Sequence, residues 1–220
     1  MYEIREGTMI LEDQECDLSI TAPLEPTLNA LHLHQNGYEI CTKQIGTQFY
    51  DEWVSRKGLR SGQYRRSSKK NVLFEAYYKN DLVHGPFTTF YEDGTASSLT
   101  WYVEGKKQGK SSTFFRDGKT ESLRSYKQGH LHGKQQFYYE NGTLKSLLFY
   151  ENGLLQGQVT LYFENGSPQR EIGFCKGMRH GTDCAWNRDG IILFAIEYSD
   201  GKEVKVSIPD PVVMLYQIVP

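Results

Sequence analysis

Three histidines share one place in a regular pattern: His84, His132 and His180 each precede a glycine, Gly85, Gly133 and Gly181. Imidazoles in a fixed array are ingredients of a metal site, whose ligand nitrogens must lie about 2 Å from one shared ion. Strands spaced ~4.8 Å apart would hold residues two hairpins apart roughly 19 Å from each other. No single ion spans that distance, so these side chains read as loop histidines hydrogen-bonding in turns. His130-x-His132 and His32-x-His34 would each put two rings on one strand face, but neither pair has a third ligand nearby. Carboxylates recur too. Asp93 and Asp117 would sit roughly 10 Å apart, close to the spacing of an inverting glycosidase's acid and base. A sheet edge gives them no enclosing pocket, and turn chemistry already accounts for them. The chain has no G-x-S-x-G, P-loop or H-E-x-x-H. The expectation is a non-enzyme with no catalytic residue, no cofactor and no metal.

The elements that would carry these residues follow from a repeat. Gly85, Gly109, Gly133, Gly157 and Gly181 are 24 residues apart, as are Gly94, Gly118, Gly142, Gly166 and Gly190, and Gly105, Gly129, Gly153, Gly177 and Gly201. Aromatics keep the same step, with Phe90, Phe114, Tyr138, Tyr162 and Trp186 in one column and Tyr102, Tyr126, Tyr150, Phe174 and Tyr198 in another. Between the columns stand Asp93-Gly94, Asp117-Gly118, Asn141-Gly142, Asn165-Gly166 and Asp189-Gly190. Asp-Gly and Asn-Gly tolerate positive φ at both centres of a type I′ turn, so each repeat reads as a β-hairpin. The first hairpin is expected to run from about Phe87 to Glu92 and from Ala96 to Val103, with Gly-x-x-x-Gly connections such as 105–109 leading onward. The fold class expected is all-β, an elongated single-layer antiparallel meander of stacked hairpins. Five clear repeats occupy 86–205, and weaker echoes at Gly37, Gly46, Gly58, Gly62 and Tyr78 make 37–85 degenerate outer repeats.

Tyr138-Tyr139-Glu140-Asn141-Gly142, followed by Tyr150 and Gly153, and Gly129-His130-Leu131-His132-Gly133 resemble the MORN-repeat family, in the variant form common in bacterial proteins. The resemblance covers 86–205 well and 37–85 weakly. It implies a hairpin-repeat fold and a scaffold for protein contact, in some members for lipid headgroups, and bacterial variants carry antitoxin labels. Residues 1–36 and 206–220 lie outside it.

Two candidate binding surfaces emerge. Tyr91, Phe115, Tyr139 and Phe163 adjoin the first aromatic column, and strand alternation would turn them to the face opposite the core. There they could dock a protein partner, while the Tyr102 column forms the core ladder. Arg56, Lys57, Arg60, Arg65, Arg66, Lys69 and Lys70 carry no acid among them over 56–70 and could meet an anionic membrane surface. A solvated loop is the plainer reading of that stretch. Nucleic acid is not expected: the net charge is −2, and only Tyr64 interrupts the basic run.

Composition agrees with the strand reading. Tyr and Phe contribute 15 and 11 residues, and 21 glycines stand against 7 prolines. Residues 1–36 form an acidic segment, with Glu3, Glu6, Glu12, Asp13, Glu15, Asp17 and Glu25 against Arg5. The uncharged run Val212–Val219 follows Pro209 and Pro211, and 206–220 is expected to cap the last hairpin. Four scattered cysteines without a C-x-x-C pair, and no signal-like N-terminus, point to a cytoplasmic protein.

Overall fold

Short aromatic-rich segments between glycine turns favour extended chain. The computed structural model describes residues 2–5, 8–13, 18–23, 27–28 and 33–207, with side chains at 27–28, 33–34 and 36–206. Among the described residues, one 3-10 turn, His34–Asn36, stands between the strands. The strands β1 (Tyr2–Arg5), β2 (Thr8–Asp13) and β3 (Leu18–Pro23) form a small antiparallel sheet in that order. The meander then begins with β4 (Tyr38–Ile45), β5 (Phe49–Arg56), β6 (Leu59–Ser68), β7 (Val72–Lys79) and β8 (Leu82–Phe90). It continues through β9 (Ala96–Val103), β10 (Lys106–Phe114), β11 (Thr120–Lys127), β12 (His130–Leu131), β13 (Gly133–Tyr138) and β14 (Leu144–Glu151). The last strands are β15 (Leu154–Leu155), β16 (Gly157–Tyr162), β17 (Pro168–Cys175), β18 (Met178–Trp186), β19 (Ile192–Ser199) and β20 (Lys202–Ser207).

Two compact units divide inside β11: residues 1–120 with 125–130, and residues 121–124 with 131–220. In the first, successive strands from β4 to β10 pair antiparallel. In the second, Ser122 and Leu123 pair with Phe137 and Gln136 of β13, and the antiparallel ladder runs on to β20. The pairing of β6 with β7 keeps the register of β8 with β9, since Gly62 faces Tyr78 as Gly85 faces Tyr102.

The two kinds of turn stand in the opposite places from those the dipeptides suggest. Gly94 has φ +86°, but Asp93 is not left-handed. The Tyr91 N–H donates to the Thr95 carbonyl at 2.8 Å and the Gly94 N–H to the Tyr91 carbonyl at 3.0 Å. That is a three-residue loop, a type I turn closed by a left-handed glycine. Asp93 Oδ1 accepts from the Thr95 N–H at 2.9 Å, and this local contact suits an aspartate with negative φ. The same loop recurs at 115–119, 139–143, 163–167 and 187–191. Type I′ turns occupy the segments expected to be Gly-x-x-x-Gly loops: Glu104 and Gly105 have φ +48° and +80°, and the pairs at 128–129, 152–153, 176–177 and 200–201 follow suit. In the first four of these segments the second glycine, Gly109, Gly133, Gly157 or Gly181, then lies in the next strand. Gly109, at φ +69°, falls inside the register shift between Lys107 and Ser111, the mark of a bulge. As a result β8 begins at Leu82 and ends at Phe90, earlier at both ends than expected, while β9 has its expected span.

In the first unit, cross-strand pairing puts Trp53, Tyr64, Ala76 and Phe87 on one face. Tyr64 and Phe74 stack at 5.6 Å and Phe74 and Phe87 at 5.1 Å between ring centres. Such offset stacks add about 0.5–1.5 kcal/mol per pair beyond the area they bury. On the other face the fully buried Val54 lies under Leu28 and Leu33 of the N-terminal segment, and the Leu28 N–H donates to Gln63 Oε1 at 3.1 Å. That face of the sheet is therefore covered at this point. Within the Tyr102 column Tyr126 is buried and the other members are half-buried, as a core ladder requires.

Candidate interaction surface

Tyr91, Phe115, Tyr139 and Phe163 begin the three-residue loops, one residue beyond the strands that precede them. They are half-buried at the hairpin corners. In the first unit the Tyr91 hydroxyl donates to the Phe114 carbonyl at 2.6 Å, and the Arg116 guanidinium lies 5.1 Å from the Tyr91 ring centre. In the second unit the Tyr139 hydroxyl donates to the Tyr162 carbonyl at 2.8 Å, with Lys145 at 5.4 Å from the ring and Arg188 at 5.9 Å from that of Phe163. The two tyrosines are thus held from two sides: the ring edge is tied to the next repeat and one face carries a cation.

The basic stretch is strand and turn, not a solvated loop. Arg66 makes a bidentate pair with Asp51 (2.6 and 2.7 Å), Arg65 meets Glu75 at 2.7 Å and Arg60 meets Asp81 at 2.8 Å. The Arg66 guanidinium holds the Asp51 carboxyl below its ordinary range. Burial, then the hydrogen bond and charge of Asp51, push the Tyr64 phenol up to about 12. Arg56 lies 5.0 Å from the Tyr38 ring centre. Three of the seven proposed anion-binding cations are therefore neutralised by carboxylates of two neighbouring strands and of the turn at Asp81, which a contiguous reading of 56–70 does not reveal. Lys57, Lys69 and Lys70 remain exposed.

The histidines hold turns. The Glu104 N–H donates to His84 Nδ1 and the Asn152 N–H to His132 Nδ1, each at 3.4 Å. His180 Nδ1 lies 3.6 Å from Asp200 Oδ1. Glutamine fills the alternate repeats: the Gln128 N–H donates to Gln108 Oε1 at 2.6 Å, and the Lys176 N–H to Gln156 Oε1 at 2.9 Å. This clamp was missed in the sequence, although its signal is visible there, because His84, Gln108, His132, Gln156 and His180 all precede the same repeat glycine. His32 lies outside the described residues, and among the described residues no three His, Cys, Asp or Glu side chains converge on a metal position. Asp93 and Asp117 bind their own loops. A further buried acid, Asp183, receives Arg170 in a bidentate pair at 2.7 Å for both bonds. The expected cap over 206–220 falls, beyond Ser207, outside the described residues.

A family model described as a MORN repeat variant matches residues 131–152 and 155–176. Each match opens in the short strand after a type I′ turn and ends at the next such turn, so the family's unit is the strand, corner loop and strand of one structural repeat. A search of curated proteins finds no match.

Proposed function

Because the chain is a MORN-repeat protein, we propose that it is a non-catalytic scaffold that binds another protein along its hairpin corners. The observation that carries this reading is the recurrence of corner rings in each unit, Tyr91 and Phe115 in one and Tyr139 and Phe163 in the other, half-exposed at equivalent repeat positions. Rings anchored this way lose little conformational freedom on binding, and buried aromatics dominate interface energy. The non-catalytic part rests on the family's general character and on carboxylates and imidazoles that are engaged in turns. The partner class includes a toxin held as an antitoxin would hold it. The setting proposed is the cytoplasm, which suits the free thiols of Cys41, Cys175 and Cys184.

Affinity purification of the intact chain against its Tyr139→Ser, Phe163→Ser form tests the proposal. A specific partner should be lost at least tenfold from the double variant while its circular dichroism is unchanged. Equal recovery of that partner by both forms would overturn the reading. Binding to anionic headgroups through 56–70 is the weaker alternative, since Arg60, Arg65 and Arg66 already have carboxylate partners. Salt-sensitive sedimentation with phosphatidylserine vesicles, abolished by Lys57→Gln, Lys69→Gln and Lys70→Gln together, would favour it.

A further inference from the structure

In each type I′ turn the two left-handed residues direct backbone N–H groups away from their own hairpin, and both need acceptors. The first unit supplies them from the strand before. The Gly105 N–H donates to the Val83 carbonyl at 2.8 Å and the Gly129 N–H to the Lys107 carbonyl at 2.9 Å. The preceding N–H of each turn goes to a side chain, Ser61 Oγ for Asn80 at 3.2 Å, His84 Nδ1 for Glu104 and Gln108 Oε1 for Gln128. Serine and glutamine accept at any pH near neutrality. Histidine accepts at Nδ1 only while its proton is on Nε2, because an imidazolium has two donors and no acceptor.

We propose that His84 is an acid-sensitive latch on the Glu104–Gly105 turn: protonation turns its acceptor into a donor that faces the Glu104 N–H and releases this hairpin end. The surroundings agree. Burial and the Lys79 ammonium on β7 oppose the imidazolium, the Glu104 carboxylate favours it, and the balance lies below the ordinary histidine value. The folded pKa is therefore lower than the unfolded one. The latch is fully closed above about pH 6.5, and its contribution is lost as pH falls from there through the folded pKa. Glutamine at the equivalent position makes the next turn a built-in reference.

Amide hydrogen exchange of the intact chain, followed by NMR between pH 7.5 and 5.5 and corrected for intrinsic chemistry, tests the latch. The Glu104 amide should lose up to about tenfold in protection, while the Gln128 amide, held by Gln108, keeps its own. His84→Gln should retain protection at Glu104 and abolish its pH dependence, and His84→Ala should lower protection at both pH values. Parallel profiles at Glu104 and Gln128 in the unaltered chain, or an unchanged pH profile in His84→Gln, would overturn the proposal. So would a His84 ring titration at or above about 6.5.

Discussion

Alanine should be costly at both Gly173 and Gly142, for different reasons. Gly142 has φ +87° with open space where a methyl would project, so Gly142→Ala meets only the left-handed backbone penalty, about 1–2 kcal/mol. Gly173 has no such φ. A Cβ there would overlap the His180 carbonyl oxygen, lie 3.2 Å from the His180 carbonyl carbon and 3.5 Å from the Gly181 Cα. The obstacle is the backbone of β18, at the register shift between Ile172 and Phe174, so no side-chain rotation relieves it. Phe149 carries a whole ring at the equivalent place one repeat earlier, which shows that the restriction belongs to this strand pair and not to the repeat. Separating β17 from β18 should cost about 2–3 kcal/mol, as overpacking does in a closed core. With a slope of about 2 kcal/mol per molar, the urea midpoint of the second unit should fall by roughly 1 M. Hydrogen exchange should localise the loss to β17, β18 and their neighbours, as expected of a nearest-neighbour array. An unchanged midpoint, or loss spread evenly over the chain, would refute this reasoning.

Other perturbations separate packing from binding. Tyr150→Ser with Phe174→Ser removes two rings of the core ladder and should lower thermal stability by about 2 kcal/mol or more per ring, in contrast to the corner variants. Thermal melts compare the two sets directly, and equal destabilisation would show the corner rings to be structural. Arg170→Ala leaves the buried Asp183 carboxylate with Arg179 at 3.6 Å as its remaining cation, and chemical denaturation should show a loss of about 1–3 kcal/mol. Asp51 has a depressed pKa in the fold, so its stabilisation is complete above about pH 4 and disappears as pH falls through the folded value. Asp51→Asn should flatten that part of an acid-denaturation curve, and an unchanged acid limb would remove Asp51 from the account.

The 24-residue period was enough to predict a meander of hairpins, because a glycine column with positive φ and a strand column of aromatics are local preferences repeated in phase. The Tyr102 ladder was equally legible, since a half-buried sheet face needs large side chains at one repeating position. Turn identity was not legible. Asn-Gly suits a type I′ turn by itself, but side-chain contacts such as Asp93 with the Thr95 N–H fix the three-residue form, and acceptors from the preceding repeat stabilise type I′ geometry at 104–105. Strand boundaries shifted with those turns, and the corner aromatics stand one residue beyond the strands that precede them. Charge behaved similarly. Residues 56–70 contain no acid, but Arg60 meets Asp81 of a neighbouring turn, and Arg65 and Arg66 meet Glu75 and Asp51 across strand pairs, at separations of 21, 10 and 15 residues. Local φ preferences and periodic burial can be read along the chain. Which N–H finds which acceptor, and which cation finds which carboxylate, is decided only when neighbouring strands come within hydrogen-bonding distance.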